Sequence, residues 1–143
     1  MGRKWLFGAM LALLVLGVSG CGQAAQPAGS IMVTMTDYKF DPSSIKVPEG
    51  TVVFYLVNSA NSNSHDMNIR DAAGNHIAGS DTVTPGDVSV FTVDNLKPGT
   101  YTIYCSQPGH EASGMTGTLT VTPRAGASPG ASRTCRARPP ARV

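Results

Sequence analysis

Short apolar runs alternate with turn residues along the chain between residues 31 and 122. The runs are rich in β-branched and aromatic residues, several have an apolar residue at every second position, and none of ten or more residues has helical spacing. Turn residues separate the runs, as at Pro98-Gly99. The pattern predicts an all-β sandwich or barrel. Its predicted strands are Ile31–Thr36, Ile45–Val47, Thr51–Asn58, His65–Arg70, Val88–Val93, Tyr101–Cys105 and Thr116–Val121.

The N-terminus has a different hydrophobic pattern. Arg3 and Lys4 precede a 13-residue apolar run, Leu6–Val18, which is shorter than the ~20 residues of a membrane-spanning helix. The run leads into Ser19-Gly20-Cys21, and small residues ahead of a cysteine resemble the lipobox of bacterial lipoproteins. We therefore predict a signal peptide over residues 1–20 and a lipid anchor on Cys21. An ordinary signal peptide followed by an incidental cysteine is the alternative.

Two segments flanking the predicted domain have little to bury. Residues 21–30 are mostly small or polar, and we predict that they form a flexible tether after the lipidated cysteine. Residues 123–143 consist largely of Ala, Gly, Ser, Pro and Arg, which predicts a disordered basic tail. Its five arginines are suited to contact anionic lipid headgroups, but a solvated tail without a role is the simpler interpretation.

Composition restricts the partners of the domain. Only 14% of the 143 residues are charged, against about 25% in an average soluble domain. Residues 31–122 contain four basic and nine acidic residues and carry a formal charge of −5, whereas residues 123–143 carry +5. A basic face for nucleic acid is not expected on such a domain, and a partner with a basic patch is favoured.

Four side chains with metal-donor atoms form the chemical signal of the sequence. A loop between the last two predicted strands holds Cys105, His110 and Met115 at five-residue intervals, and His65 begins an earlier predicted strand. Each residue alone is more often structural, but together they supply the two imidazoles, thiolate and weak thioether of a blue-copper site. Soft sulfur ligands suit Cu(I) and imidazole ligands suit Cu(II). A site with both kinds of ligand therefore needs little rearrangement when the copper gains an electron. The set predicts one copper ion.

Over residues 31–122 the chain resembles the cupredoxins, the type 1 blue copper proteins. The resemblance implies an eight-stranded Greek-key β-sandwich with one copper, His65, Cys105 and His110 as equatorial ligands, and Met115 as the axial ligand. The loop spacing is more similar to auracyanin, rusticyanin and sulfocyanin than to plastocyanin. The segments that carry the resemblance are Phe40-Asp41-Pro42, Ile45-Lys46-Val47, Gly50-Thr51-Val52, Asn58, Pro98-Gly99-Thr100-Tyr101, Tyr104-Cys105, Pro108-Gly109-His110 and Gly114-Met115-Thr116-Gly117.

One position departs from the family pattern. Many cupredoxins have Asn directly after the first histidine ligand, whereas this chain has Asp66. An ionised Asp only accepts hydrogen bonds, so Asp66 either accepts them from the loop after Cys105, beginning with Ser106, or points into solvent. In the first case its negative charge favours Cu(II) and lowers the reduction potential.

The remaining histidine, methionines and cysteine are assigned no metal role. His76 lies in a predicted turn and is expected to be structural or exposed. Three methionines in strand patterns, Met32, Met35 and Met67, are expected in the core. Cys135 lies in the tail, where a free thiol and an intermolecular disulfide both remain open.

Three classes of function are compatible with a copper site. The sequence favours a monomeric, membrane-tethered electron carrier outside the cytoplasm, periplasmic or on the outer face of the cell membrane, with transient protein donors and acceptors. Copper storage or delivery in the envelope is the alternative, but no Met-rich string is present. An enzyme is not expected, because three histidines are too few for a second copper centre and no catalytic constellation is evident.

Overall fold

The computed structural model describes residues 23–124, which contain nine β-strands and no helix. The predicted signal peptide, Cys21 and Cys135 lie outside this range. No helix capable of crossing a membrane is found in the described residues. The strands are β1 (Ile31–Thr36), β2 (Lys39–Asp41), β3 (Ser44–Pro48), β4 (Gly50–Asn58), β5 (Asn68–Arg70), β6 (His76–Gly79), β7 (Val88–Leu96), β8 (Gly99–Tyr104) and β9 (Thr116–Thr122).

The strands form two sheets that enclose one core. The order is β2-β1-β4-β7 in one sheet and β3-β9-β8-β5-β6 in the other. The pairs β1–β4 and β3–β9 are parallel, and the other neighbours are antiparallel. The fold is therefore an all-β Greek-key sandwich, which confirms the predicted fold class.

The part of the chain that the structure describes has nine strands, rather than the eight that the family resemblance implied. The short strands β2 and β6 are not evident in the sequence, because three or four residues are too few to show an alternating pattern. His76 begins β6, so its predicted turn position was wrong. The predicted strand from His65 to Arg70 is also shorter, since β5 begins at Asn68 and His65 forms only an isolated bridge with Val83.

The core is formed by the inward-pointing side chains, which alternate with outward-pointing ones along each long strand. In β4, Val52, Phe54 and Leu56 point inward, and the ring of Phe54 stacks on that of Phe91 in β7 with centroids 5.9 Å apart. The predicted core positions of Met35 and Met67 are confirmed, since both are fully buried.

The core assignment of Met32 was wrong. Its side chain is 52% exposed, because β1 alternates and its inward positions are those of Val33 and Met35. Successive side chains of a strand point to opposite faces, so Met32 lies on the outer face of the sheet.

Residues 23–30 contain no strand but make two contacts with the sandwich. The Tyr55 hydroxyl donates a 2.8 Å hydrogen bond to the carbonyl of Ala24, and Gln23 Nε2 donates to the carbonyl of Gly86 at 2.6 Å. This segment therefore lies along the sheet that contains β4, close to its outer face. The tether predicted over residues 21–30 stays a prediction, since its first residues lie outside the described range.

A buried asparagine organises the end of the sandwich where the predicted metal donors lie. Asn58, the last residue of β4, donates hydrogen bonds to the carbonyls of Asn63 and Val83, at 2.9 and 2.8 Å, and accepts one from the Ala60 N–H at 2.9 Å. Val83 in turn exchanges two backbone hydrogen bonds with His65. The turn after β4 and the backbone of His65 are thereby fixed to the same end of the core.

Candidate metal centre

Three predicted ligands from two distant parts of the chain meet at one end of the sandwich. His65 Nδ1 lies 3.2 Å from His110 Nδ1 and 4.0 Å from Cys105 Sγ, and Cys105 Sγ lies 3.5 Å from His110 Nδ1. His65 and Cys105 are buried, and His110 is half-buried. The structure thus brings together the two imidazoles and the thiol that the sequence predicted as equatorial donors.

The size of this triangle fits a metal ion. The point equidistant from the three donor atoms lies about 2.1 Å from each, close to the ~2.0–2.3 Å bonds that His nitrogen and Cys sulfur make with zinc. Two imidazole nitrogens facing each other at 3.2 Å also require a proton or a cation between them. The donor set and its spacing therefore suit a small thiophilic ion in trigonal coordination.

Burial sets the protonation of His65. Its side chain is fully buried, and this burial lowers its pKa from the ordinary value of 6.5. The other ring nitrogen, Nε2, lies 3.7 Å from Asp37 Oδ1 and has no hydrogen-bond partner within the described residues. A neutral imidazole with Nδ1 free to bind a metal carries its proton on Nε2, where the Asp37 carboxylate attracts it.

Burial also keeps the Cys105 thiol protonated while no metal is bound. The side chain is 1% exposed, and desolvation raises its pKa above the ordinary value of 9.0. A coordinating metal displaces the proton and binds the thiolate. Cys105 follows β8 directly, and its backbone N–H donates to the carbonyl of Met115 at 3.2 Å, so the first and last predicted ligands of the loop are joined.

The loop between Cys105 and Met115 is a series of tight turns. Gly109 and Gly114 have φ values of 82° and 100°, a backbone region that favours glycine. The Met115 N–H donates to the carbonyl of His110 at 3.0 Å, and the Met115 side chain is fully buried. This geometry turns the chain back into β9 and places Met115 beside the core at the end of the loop.

Asp66 ties the two ligand-bearing segments together. It is 4% exposed, and its carboxylate accepts hydrogen bonds from the Ser106 N–H at 2.6 Å and the Ser106 hydroxyl at 2.5 Å. Gln107 Nε2 and Asn68 Nδ2 donate to the same carboxylate at 3.2 and 2.9 Å. Of the two alternatives from the sequence, the structure shows the linked one, with Asp66 acceptor-only and fully supplied with donors.

Other residues near the site were not found by sequence reasoning. Tyr38 packs edge-on against His110 with ring centroids 5.2 Å apart, and Asp37 faces His65. His76, outside the cluster, has Nε2 3.2 Å from Asn68 Oδ1. Asn68 was detectable in principle, because it lies two residues after Asp66, whereas nothing local marks Asp37 or Tyr38.

An open groove lies beside the ligand loop. It has a volume of about 640 Å³, and the buried Cys105 lies at its lining. Its walls come from Tyr104 and from the loop residues Ser106, Gln107, Pro108, Gly109, Glu111 and Ala112. Small and apolar residues in this wall let another surface approach closely.

A family model and several solved structures match the chain. The model described as "Cupredoxin-like domain" matches residues 8–121, a range that includes all four predicted ligands. No curated protein matches the chain significantly.

The similar solved structures include three auracyanins. Sodium-dithionite-reduced auracyanin from the photosynthetic bacterium Roseiflexus castenholzii is 25% identical, with a TM-score of 0.61 and coverage of 71% of this chain and 100% of that one. Auracyanin B is also 25% identical, with a TM-score of 0.62 over 70% of this chain and 93% of its own. Auracyanin A, a "blue" copper protein from the green thermophilic photosynthetic bacterium Chloroflexus aurantiacus, is 22% identical, with a TM-score of 0.56 over 66% of this chain and 100% of its own. This last similarity shows a shared fold.

Proposed function

Because the chain belongs to the cupredoxin-like domain family, we propose that it is a one-electron carrier with one type 1 copper ion. The observation that carries the proposal is the triangle of His65 Nδ1, Cys105 Sγ and His110 Nδ1, with sides of 3.2 to 4.0 Å. These three residues are the proposed equatorial ligands, and Met115 is the proposed axial ligand. The copper supplies a Cu(II)/Cu(I) couple when it is bound.

The protein's part in this chemistry is to hold the donors still. His65 is fixed by its bridge to Val83, and Cys105 by the end of β8 and its hydrogen bond to Met115. Donors held near a geometry between the preferences of Cu(I) and Cu(II) have little to rearrange when the charge of the site changes. A small rearrangement permits fast electron transfer.

We propose that electrons enter and leave near His110. It is the half-buried member of the triangle, whereas His65 and Cys105 are buried. Pro108, Gly109 and Ala112 leave the adjoining groove accessible to a partner surface. Weak redox complexes use small interfaces, so a transient donor and acceptor fit this surface. The charge of −5 over residues 31–122 favours partners with basic patches.

The proposal includes a location outside the cytoplasm. Its support is the sequence pattern of residues 1–21, with cleavage before Cys21 and a lipid anchor on that residue. A monomeric domain over residues 31–122 would then be held at the membrane by the tether of residues 21–30. The basic tail of residues 123–143 would follow it. Transient protein donors and acceptors would meet the domain at the membrane surface.

Copper storage or delivery in the envelope is the less well supported alternative. Metal transfer between proteins requires donors that an acceptor can reach. Here Cys105 and Met115, the two sulfur donors, are 1% and 0% exposed. The buried sulfur atoms favour retention of the ion over its release.

A copper titration tests the proposed function. The chain without its signal peptide and lipid, residues 22–143, receives one equivalent of Cu(II), in parallel with Cys105→Ser and with Met67→Leu as a control at a buried methionine outside the site. We expect an intense blue absorption that ascorbate bleaches in the wild type and the control, and none in Cys105→Ser. A colourless protein that binds Cu(I) tightly would favour copper handling, and no stoichiometric binding would limit the similarity to the fold.

A further inference from the structure

A single arginine contacts both flanks of the ligand loop. Arg70 is the last residue of β5, and its guanidinium carbon lies 4.5 Å from the centroid of the Tyr104 ring. Its Nη2 donates a 2.5 Å hydrogen bond to Glu111 Oε1. Tyr104 directly precedes Cys105, and Glu111 directly follows His110. One side chain therefore joins the immediate neighbours of two proposed ligands.

The sheet register explains how Arg70 reaches both groups. Asn68 lies opposite Tyr104 and Arg70 lies opposite Thr102, so Arg70 and Tyr104 are diagonal neighbours on one face. The intervening Ile69 is fully buried, which places this pair on the outer face of the sheet. A planar guanidinium can lie flat over a ring while its edge donates to a carboxylate, and the compact lysine ammonium does not reproduce this planar geometry.

The location of this contact matters more than its contribution to global stability. Within residues 23–124, Arg70–Glu111 is the one ion pair formed by an arginine or lysine side chain with a carboxylate. The two side chains are 31% and 40% exposed, and exposed pairs contribute little to the free energy of unfolding. The hydrogen bond to Glu111 also raises the pKa of Arg70 above its ordinary value, so the guanidinium stays charged.

We propose that Arg70 is a positioning residue of the metal centre. It ties the His110 arm of the loop, through Glu111, to the end of the strand that leads into Cys105, through Tyr104. The tie limits changes in the spacing of the two ligands when the charge of the site changes. Its relevance to electron transfer rests on the proposed function, whereas the tie itself also acts in the metal-free chain.

Amide hydrogen exchange of the metal-free chain tests the tie without copper. Arg70→Gln and Glu111→Gln are compared with Lys97→Gln, which removes a positive charge from the exposed turn between β7 and β8 at the other end of the sandwich. We expect the loop amides of Ser113 and Gly114 to exchange about two- to fivefold faster in the first two variants and at the wild-type rate in the control. Unchanged loop exchange in both variants would overturn the proposal.

Measurements on the copper-loaded chain distinguish a positioning role of the Arg70–Glu111 pair from an effect of its charges. Loss of the positive Arg70 lowers the reduction potential and loss of the negative Glu111 raises it, so charge effects have opposite signs and cancel in the double variant. A positioning effect instead gives both single variants and the double variant the same change in the copper hyperfine splitting of the electron paramagnetic resonance spectrum. Arg70→Lys keeps the charge, and we expect it to show that change as well.

The outcomes distinguish failure of the positioning role of Arg70 from failure of the proposed function. A wild-type hyperfine splitting in the double variant, or in Arg70→Lys, would mean that the pair acts through its charge alone. If the wild-type chain forms no type 1 copper spectrum while loop exchange still depends on Arg70 and Glu111, the electron-carrier proposal fails and the tie stands.

Discussion

The two sides of the metal centre are built in different ways. His65 is fully buried, and its backbone is bonded to Val83, which also accepts a hydrogen bond from the buried Asn58. His110 is half-buried in the middle of a turn-rich loop. The core therefore fixes His65, whereas the loop between Cys105 and Met115 is held by its own backbone hydrogen bonds and by side-chain contacts from elsewhere in the chain.

Substitution of the two histidines should give the largest difference between the two sides of the site. We expect His110→Gly to regain its blue absorption when imidazole is added, because the half-buried position is open to a small ligand. We expect no such rescue in His65→Gly, because the emptied space is enclosed, and the free energy of unfolding should fall by about 2–5 kcal/mol. Absorption spectra with and without imidazole, and denaturant unfolding, provide the measurements. Rescue of both variants would show that the two sides are equally accessible.

Exchange of the axial donor tests the end of the loop. Met115→Gln should retain copper and lower the reduction potential, because the axial ligand tunes a blue-copper site and an amide oxygen is a harder donor than a thioether. Met67→Leu, at another fully buried methionine, should keep the wild-type potential. Potentiometric titration distinguishes these results, and a wild-type potential in Met115→Gln would contradict the axial assignment.

Asp66 links the rigid side to the loop. Two variants of Asp66 distinguish the effect of its negative charge from the effect of its hydrogen bonds. Asp66→Asn keeps the size of the side chain but removes its negative charge, so we expect a higher reduction potential. Asp66→Ala leaves the Ser106 N–H without its acceptor, and the free energy of unfolding should fall by about 1–3 kcal/mol. Potentiometry and denaturant unfolding of the two variants test this division. An unchanged potential in Asp66→Asn would remove the electrostatic role.

The stability of the metal-free domain should fall at both low and high pH. His65, on the rigid side, causes the acid limb, and Cys105, at the start of the loop, causes the alkaline limb. The pKa of His65 is lowered from 6.5, so the unfolded chain binds more protons below about pH 6.5 and stability falls as the pH drops. The pKa of Cys105 is raised above 9.0, so the unfolded chain loses its proton first and stability falls above about pH 9.0. Thermal unfolding across this range is the measurement. Cys105→Ala should weaken only the alkaline limb, and an identical alkaline limb in that variant would contradict the assignment.

Local sequence signals predicted the fold class well. Long alternating runs such as that of β4 show the period of two that a half-buried strand requires. The same signal failed for β2 and β6, which are too short to show a period. At Met32 the core prediction was wrong, because the same period of two that buries Val33 and Met35 turns Met32 to the outer face of the sheet.

The donor types and the five-residue spacing of the loop were visible in the sequence, because a thiol, an imidazole and a thioether in one glycine-containing loop rarely serve packing alone. The closeness of His65 to that loop was an expectation from the complementary donor types and from the family resemblance. His65 and Cys105 are 40 positions apart in the chain, and the pairing of β5 with β8 and the hydrogen bonds of Asp66 bring their segments together.

The chain's local chemistry determined the alternating strands, the turns at its glycines and prolines, and the three predicted metal donors of the loop, because each depends on residues close together in sequence. The tertiary structure decided the 3.2 to 4.0 Å triangle of donor atoms, the four donors around Asp66, and the contact of Arg70 with both Tyr104 and Glu111. Most of these contacts depend on strand order and register, which bring residues 34 to 45 positions apart within a few ångströms.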